Sequence, residues 1–123
     1  MAMLHVSELP PQRAEEAYGL VRLASGWTAT EWERCLDEQD TGGVLCATAL
    51  SGVLLGIAAY RLDRTQLIGP VLRVRLFVAF ELGGRGATRQ ALSNGLQRLG
   101  DRLGCNAVLF GKESRGLVEP ARH

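Results

Sequence analysis

The stretch Phe77-Val78-Ala79-Phe80-Glu81-Leu82-Gly83-Gly84-Arg85-Gly86-Ala87-Thr88-Arg89-Gln90-Ala91-Leu92 decides how the chain reads. It opens on aromatic, branched and small residues, which suit a strand. Gly83, Gly84 and Gly86 then break any regular period. From Thr88 the apolar spacing becomes helical. The segment is a strand that runs through a glycine-rich loop into a helix. The first turn of a helix has unpaired N–H groups and a partial positive charge. Glycines let backbone approach an anion with no Cβ in the way. Such a junction is a ready cradle for a diphosphate. Arg85 and Arg89 stand where they can add charge-assisted bonds from its rim.

Upstream of the loop, residues 71–80 alternate as a strand. Leu72, Val74, Leu76, Val78 and Phe80 fall on one face, and Val71, Arg73, Arg75, Phe77 and Ala79 on the other. Downstream, a helix is expected over residues 88–103, with Leu92, Leu96, Leu99 and Leu103 as its apolar stripe and Gly95 beside it. Gly104 ends that helix, and residues 105–110 read as a further strand. The remainder, 111–123, is polar, contains Pro120 and is expected to be a flexible tail.

Further back, residues 43–50 and 53–62 read as two strands joined by a Ser51-Gly52 hairpin, with 63–70 as a polar connector. Residues 4–9 form a short first strand. Pro10 and Pro11 end it and open a helix whose stripe is Ala14, Ala17, Tyr18, Val21 and Ala24. Ser25-Gly26 stops that helix. Both Thr28 with Glu31 and Thr30 with Glu33 have capping-box spacing for the next one, which carries Trp32, Cys35 and Leu36 on one side. The order is strand, helix, helix, three strands, helix, strand. The class is α/β (α+β): an antiparallel meander followed by a βαβ unit, in one mixed sheet with helices on both faces.

Composition narrows the function. The chain has 123 residues and 46% hydrophobic content, which suits one globular domain with an ordinary core. The net charge of +1 lacks the excess a nucleic-acid binder needs, so no nucleic-acid partner is expected. Three cysteines with no C-x-x-C pair, Cys35, Cys46 and Cys105, fit reduced buried thiols in a cytoplasmic protein, with no metal site. The longest apolar stretch, 53–60, is strand-sized, and no membrane association is expected. His5 and His123 have no partner pattern for catalysis or metal binding. Trp27 and Trp32 read as packing between the first helices and the sheet. Arg61, Arg64, Arg73 and Arg75 fall on adjacent strands, either as a solvated face or as a cluster for an anion.

The element order and the loop resemble the GNAT superfamily of acyl-CoA-dependent N-acyltransferases. Its signature is Gln/Arg-x-x-Gly-x-Gly/Ala between the fourth strand and the helix after it. Here the signature falls on Gly83, Gly84, Arg85, Gly86, Ala87 and Thr88. Gly86 takes the central glycine, Gly83 replaces the Gln or Arg, and Thr88 replaces the last Gly or Ala. The resemblance spans residues 4–110. It implies that residues 83–89, Arg89 included, hold the diphosphate of acetyl-CoA. It implies that Phe77 and Val78 offer backbone groups to the pantetheine, with 105–110 as the other wall. The implied reaction is acetyl transfer from the CoA thioester to an amine. Glu81 is the candidate general base, its alternative being a solvated carboxylate flanking the helix. The family continues past this point with another helix and two strands, so this fold is a shortened one. A homodimer would cover the last strand's open edge. The alternative function is a catalytically inactive CoA-binding or protein-interaction module.

Overall fold

The computed structural model describes residues 4–38, 41–81 and 85–115, the last five as backbone. Among these residues, five strands form one sheet in chain order. They are β1 (Leu4–Glu8), β2 (Gly42–Ala49), β3 (Leu54–Thr65), β4 (Gly69–Ala79) and β5 (Ala107–Arg115). Neighbours from β1 to β4 pair antiparallel, and β4 with β5 parallel. The helices are α1 (Ala14–Ser25), α2 (Ala29–Asp37) and α3 (Ala87–Arg102), with a 3-10 turn at Pro11–Arg13 leading into α1. The α+β class and mixed sheet expected from the sequence are present.

Local chemistry sets the helix ends. Pro10 and Pro11 start the first turn, where a missing N–H is harmless. Gly26, at φ +78°, ends α1 in the left-handed region. Thr28 caps α2: its hydroxyl accepts from the Glu31 N–H at 3.1 Å, and the Glu31 carboxylate accepts from the Thr28 N–H at 2.8 Å. The second expected box is not used, because Thr30 already lies within α2.

Two apolar layers sandwich the sheet. Ala17, Val21, Trp27, Trp32 and Cys35 pack on Val44, Cys46, Ile57, Leu76 and Val78. On the opposite face Leu92, Leu96 and Leu99 of α3 pack on Leu45, Ala58, Tyr60, Leu72, Val74 and Phe77. Each such leucine contributes about 1.5–3 kcal/mol over leaving it exposed. Trp27 and Trp32 are core residues, and the Trp32 indole N–H donates to the Ala14 carbonyl at 3.1 Å.

Three sequence expectations change. The strict alternation of β4 fails. Ala59 pairs with Leu76 and Tyr60 with Val74, so Arg75 is an extra residue opposite a single step of β3. This bulge reverses the phase: Leu72 and Val74 face α3, whereas Leu76 and Val78 face α1 and α2. Phe77 therefore joins Leu72 and Val74 instead of opposing them. Secondly, the polar connector is mostly strand: β3 reaches Thr65 and β4 begins at Gly69. Asp63 has a cross-strand partner, Arg73, which donates to it at 3.0 Å. Thirdly, β5 continues through residues 111–115, where a tail was expected, because its parallel pairing to β4 resumes at Arg115. Residues 116–123 lie outside the described residues.

Candidate functional site

The end of β4 and the start of α3 meet as the sequence implied. Gly86 is the N-cap of α3 at φ +73°, a left-handed conformation that glycine adopts without strain. Having no side chain, it leaves the first N–H groups of the helix to other partners. Glu81, two residues beyond the end of β4, takes that role. One carboxylate oxygen accepts from the Thr88 N–H at 2.9 Å, and the other from the Arg89 N–H at 3.0 Å. The Thr88 hydroxyl, almost fully buried, donates to the Phe80 carbonyl at 2.9 Å. Strand and helix are thereby tied together across the base of the loop.

The electrostatics of Glu81 follow from these contacts. Partial burial pushes its pKa up, but the hydrogen bonds from Thr88 and Arg89, with the nearby Arg89 charge, outweigh it and hold the carboxyl below its ordinary value. A general base gains from the opposite direction. Glu81 serves as a cap of α3, with both oxygens engaged. This helix end does hold an anion, and the anion is the chain's own.

Of the other expected site residues, Arg85 is exposed, Ala87 is the first residue of α3, and Arg89 is half-buried. The Arg89 side chain passes over Gly86, with one guanidinium nitrogen 3.9 Å from where a Cβ would stand. Gly83 and Gly84 lie outside the described residues. Phe77 and Val78 pair with Ala58 and Ile57 of β3. The Phe77 ring meets Phe110 of β5 edge-on, at 5.6 Å between centroids.

The ladder between β4 and β5 is interrupted at the bulge. Val71, Leu72, Arg73 and Val74 pair regularly with Ala107, Val108, Leu109 and Phe110, after which Leu76 pairs with Arg115. The step from Val74 to Leu76 thus faces the longer stretch from Phe110 to Arg115. The break lies on the strand segment that leads to Phe77, Val78 and Glu81.

The sequence placed Arg75 among four strand arginines but did not show the contacts it makes. Arg75, the bulged residue, donates to the Glu38 carboxylate at 2.7 Å and lies over the Trp27 ring, 5.9 Å from its centroid. Its Nε is buried and has no hydrogen-bond partner among the described residues. Arg73 is held by Asp63, so Arg73 and Arg75 serve different partners and the four strand arginines do not act as one cluster. No sequence signal marks the bulge, because an apolar run such as Leu76-Phe77-Val78 fits either phase of a strand.

A groove of about 590 Å³ between β1 and the later turns of α3 is lined by Val6, Glu8, Gly95, Arg98 and Arg102 among others, away from Gly86. Among the described residues no group of His, Cys, Asp or Glu is placed to hold a metal ion, and no helix is long and apolar enough to cross a membrane.

The fold has clear relatives among solved structures. An aminoglycoside 6'-N-acetyltransferase from Acinetobacter baumannii matches with a TM-score of 0.74, at 13% identity over 89% of this chain and 79% of its own. The chain has the GNAT fold. A GNAT family acetyltransferase from Staphylococcus aureus matches over 100% of this chain and 96% of its own, with a TM-score of 0.69 and 14% identity. The aminoglycoside N-acetyltransferase AAC(6')-Iy, solved in complex with CoA, matches with a TM-score of 0.67 and 19% identity over 91% of this chain and 78% of its own. No protein-family model matches the sequence, and no curated protein matches it.

Proposed function

We propose that the chain is an acyl-CoA-dependent N-acyltransferase that moves an acetyl group from acetyl-CoA to an amine. The observation that carries this reading is the anion held at the start of α3, where the N–H groups of Thr88 and Arg89 bind a carboxylate. The resemblance to the GNAT superfamily implies that the CoA diphosphate binds at this helix start. Gly83, Gly84, Arg85, Gly86, Ala87, Thr88 and Arg89 form the diphosphate loop, and the backbone of Phe77 and Val78 meets the pantetheine. Attack of the amine nitrogen on the thioester carbonyl forms the C–N bond and releases the CoA thiolate. The amine loses one proton and the thiolate gains one. Alignment supplies most of the acceleration in such a reaction. The chain acts in the cytoplasm as a single domain that pairs with a second copy.

Titration calorimetry with acetyl-CoA tests this reading. Saturable binding is expected, weakened about tenfold in Arg85→Ala by loss of a charge-assisted contact. It should be abolished in Gly86→Asp, which adds both strain and a negative charge. Absence of binding at millimolar acetyl-CoA overturns it. A second reading, a CoA-binding or protein-interaction module without catalysis, draws support from Glu81, whose carboxylate is committed to the helix instead of poised as a base. Acetyl-CoA binding with no transfer to any amine in a broad screen favours that module.

A further inference from the structure

We propose that a cavity at the start of β2 is a binding site for a primary ammonium group carried on a small apolar body. It stands apart from the acyl-CoA reading and does not depend on it. The cavity holds about 200 Å³, and Leu9, Pro11, Leu36 and Val44 form its apolar walls. It lies at one end of β2, whereas the start of α3 sits over Gly56, which pairs with Ala47 towards the other end. Gly42 and Gly43 have no side chains, and the cavity reaches past them from Leu36, in the layer of α2, to Tyr60, in the layer of α3.

Three acceptors converge there. The first is the Tyr60 hydroxyl. Tyr60 is 7% exposed, and its hydroxyl has no hydrogen-bond partner among the described residues. The hydroxyl oxygen lies 2.6 Å from where a Cβ of Gly43 would stand, so only glycine leaves it room. Burial raises the Tyr60 pKa, with the Glu8 charge adding to the effect and Arg102 opposing it, so the phenol stays protonated near neutral pH and keeps its lone pairs to offer. The second is the Gly42 carbonyl. Leu9 N–H donates to the Val44 carbonyl, and Leu62 N–H to the Thr41 carbonyl. Backbone groups alternate sides along an antiparallel strand, so Gly42 directs its own towards the β1 side. The register that sets Glu8 opposite Leu45 carries on to Pro11 opposite Gly42, and proline has no N–H to give. The third is the exposed Glu8 carboxylate at the rim, which makes no ion pair among the described residues. Arg102 lines the neighbouring groove between β1 and α3, and no cation lines the cavity itself. An ammonium brings three N–H donors and the complementary charge, and an apolar body covers the walls.

Isobutylammonium titrated into the full chain, followed through the amide resonances, tests the site. Saturable shifts in the millimolar range are expected, centred on Gly42, Gly43 and Tyr60. Isobutanol, neutral and of the same shape, should bind about tenfold more weakly, because its hydrogen bonds lack the charge. Tyr60→Phe keeps the ring and Glu8→Gln keeps the side-chain shape, and each should weaken isobutylammonium binding about tenfold by removing an acceptor from a charged donor. Lack of saturation, shifts centred elsewhere or equal binding of isobutanol overturns the proposal, and these readings use the native chain alone. A folded variant of either kind that binds as tightly as the native chain overturns it as well. Acetyl-CoA is not used, so the failure of this site and the failure of the acyl-CoA reading are separate results.

Discussion

Arg75 donates to Glu38 across 2.7 Å, linking the bulge of β4 to the residue that follows α2. Arg75 alternates with Val74 and so faces the layer of α1 and α2, the side to which Leu76 also turns beyond the bulge. Its guanidinium turns to the helical layer, where Trp27 offers an aromatic face. The Arg75 side chain is 18% exposed and that of Glu38 is 35%, so the pair is neither a surface ion pair nor a fully buried one. Glu38→Gln should destabilise the fold by about 1–2 kcal/mol, between the values usual for exposed and buried pairs. Urea unfolding of the two single variants and the double variant with Arg75→Met measures the coupling. A coupling energy near zero means the pair contributes no stability.

Removing the cap of α3 should be visible without any ligand. Glu81→Ala leaves the Thr88 and Arg89 N–H groups without their carboxylate and should cost about 1 kcal/mol in thermal or urea unfolding near neutral pH. The folded-state pKa of Glu81 is depressed, so its contribution is present above the ordinary carboxylate range and is lost as pH falls through the lowered value. The gap between native and Glu81→Ala stability should therefore narrow below about pH 4. A gap that is the same at neutral and acid pH refutes the charged cap.

Two glycine substitutions should act in opposite directions. A Cβ at Gly56 would stand 2.7 Å from Leu92 Cδ1, 3.0 Å from Thr88 Cγ2 and 3.1 Å from the Val78 carbonyl oxygen. Gly56→Ala should cost about 1–3 kcal/mol by overpacking. It should also weaken acetyl-CoA binding, because it presses on the first turn of α3. Gly19, inside α1, has nothing within 4 Å of its Cβ position. Gly19→Ala should add about 0.5–1 kcal/mol through helix propensity. Thermal unfolding of both reads the two signs directly.

The three thiols should differ in reactivity. Cys35 and Cys46 are buried, and burial raises both of their pKa values above that of a free thiol. Cys105 is only half-buried. Iodoacetamide at neutral pH should label Cys105 first, and the other two only as the chain opens. Mass spectrometry of partly labelled protein, site by site, checks the order. Early labelling of Cys35 contradicts the packing of α2 described above.

Several parts of this architecture are legible without coordinates. The Ser51-Gly52 hairpin, the Thr28–Glu31 capping box, Gly26 as a helix stop and the Leu92, Leu96 and Leu99 stripe each depend on residues a few positions apart. So does the strand, glycine loop and helix order around Gly86. Local chemistry selects these features, and they hold wherever the segment sits. Misreadings arose where a distant partner decided. The charge of Asp63 suggests a loop until Arg73 of β4, which lies across from Arg61, is seen to reach it diagonally. Backbone beyond Phe110 looks like a tail until pairing resumes between Leu76 and Arg115.

The sequence by itself determined the α+β class, the element order and the position of an anion-binding helix start, because periodicity, capping and glycine geometry are properties of short segments. Only the tertiary structure decided which face each half of β4 presents, where Arg75 finds its counter-charge and what occupies the start of α3. A bulge inserts one residue at a point chosen by pairing with β3, and a period-two pattern carries no mark of it. Glu81 and Thr88 meet because α3 lies against the sheet, and that placement depends on the packing of Leu92, Leu96 and Leu99.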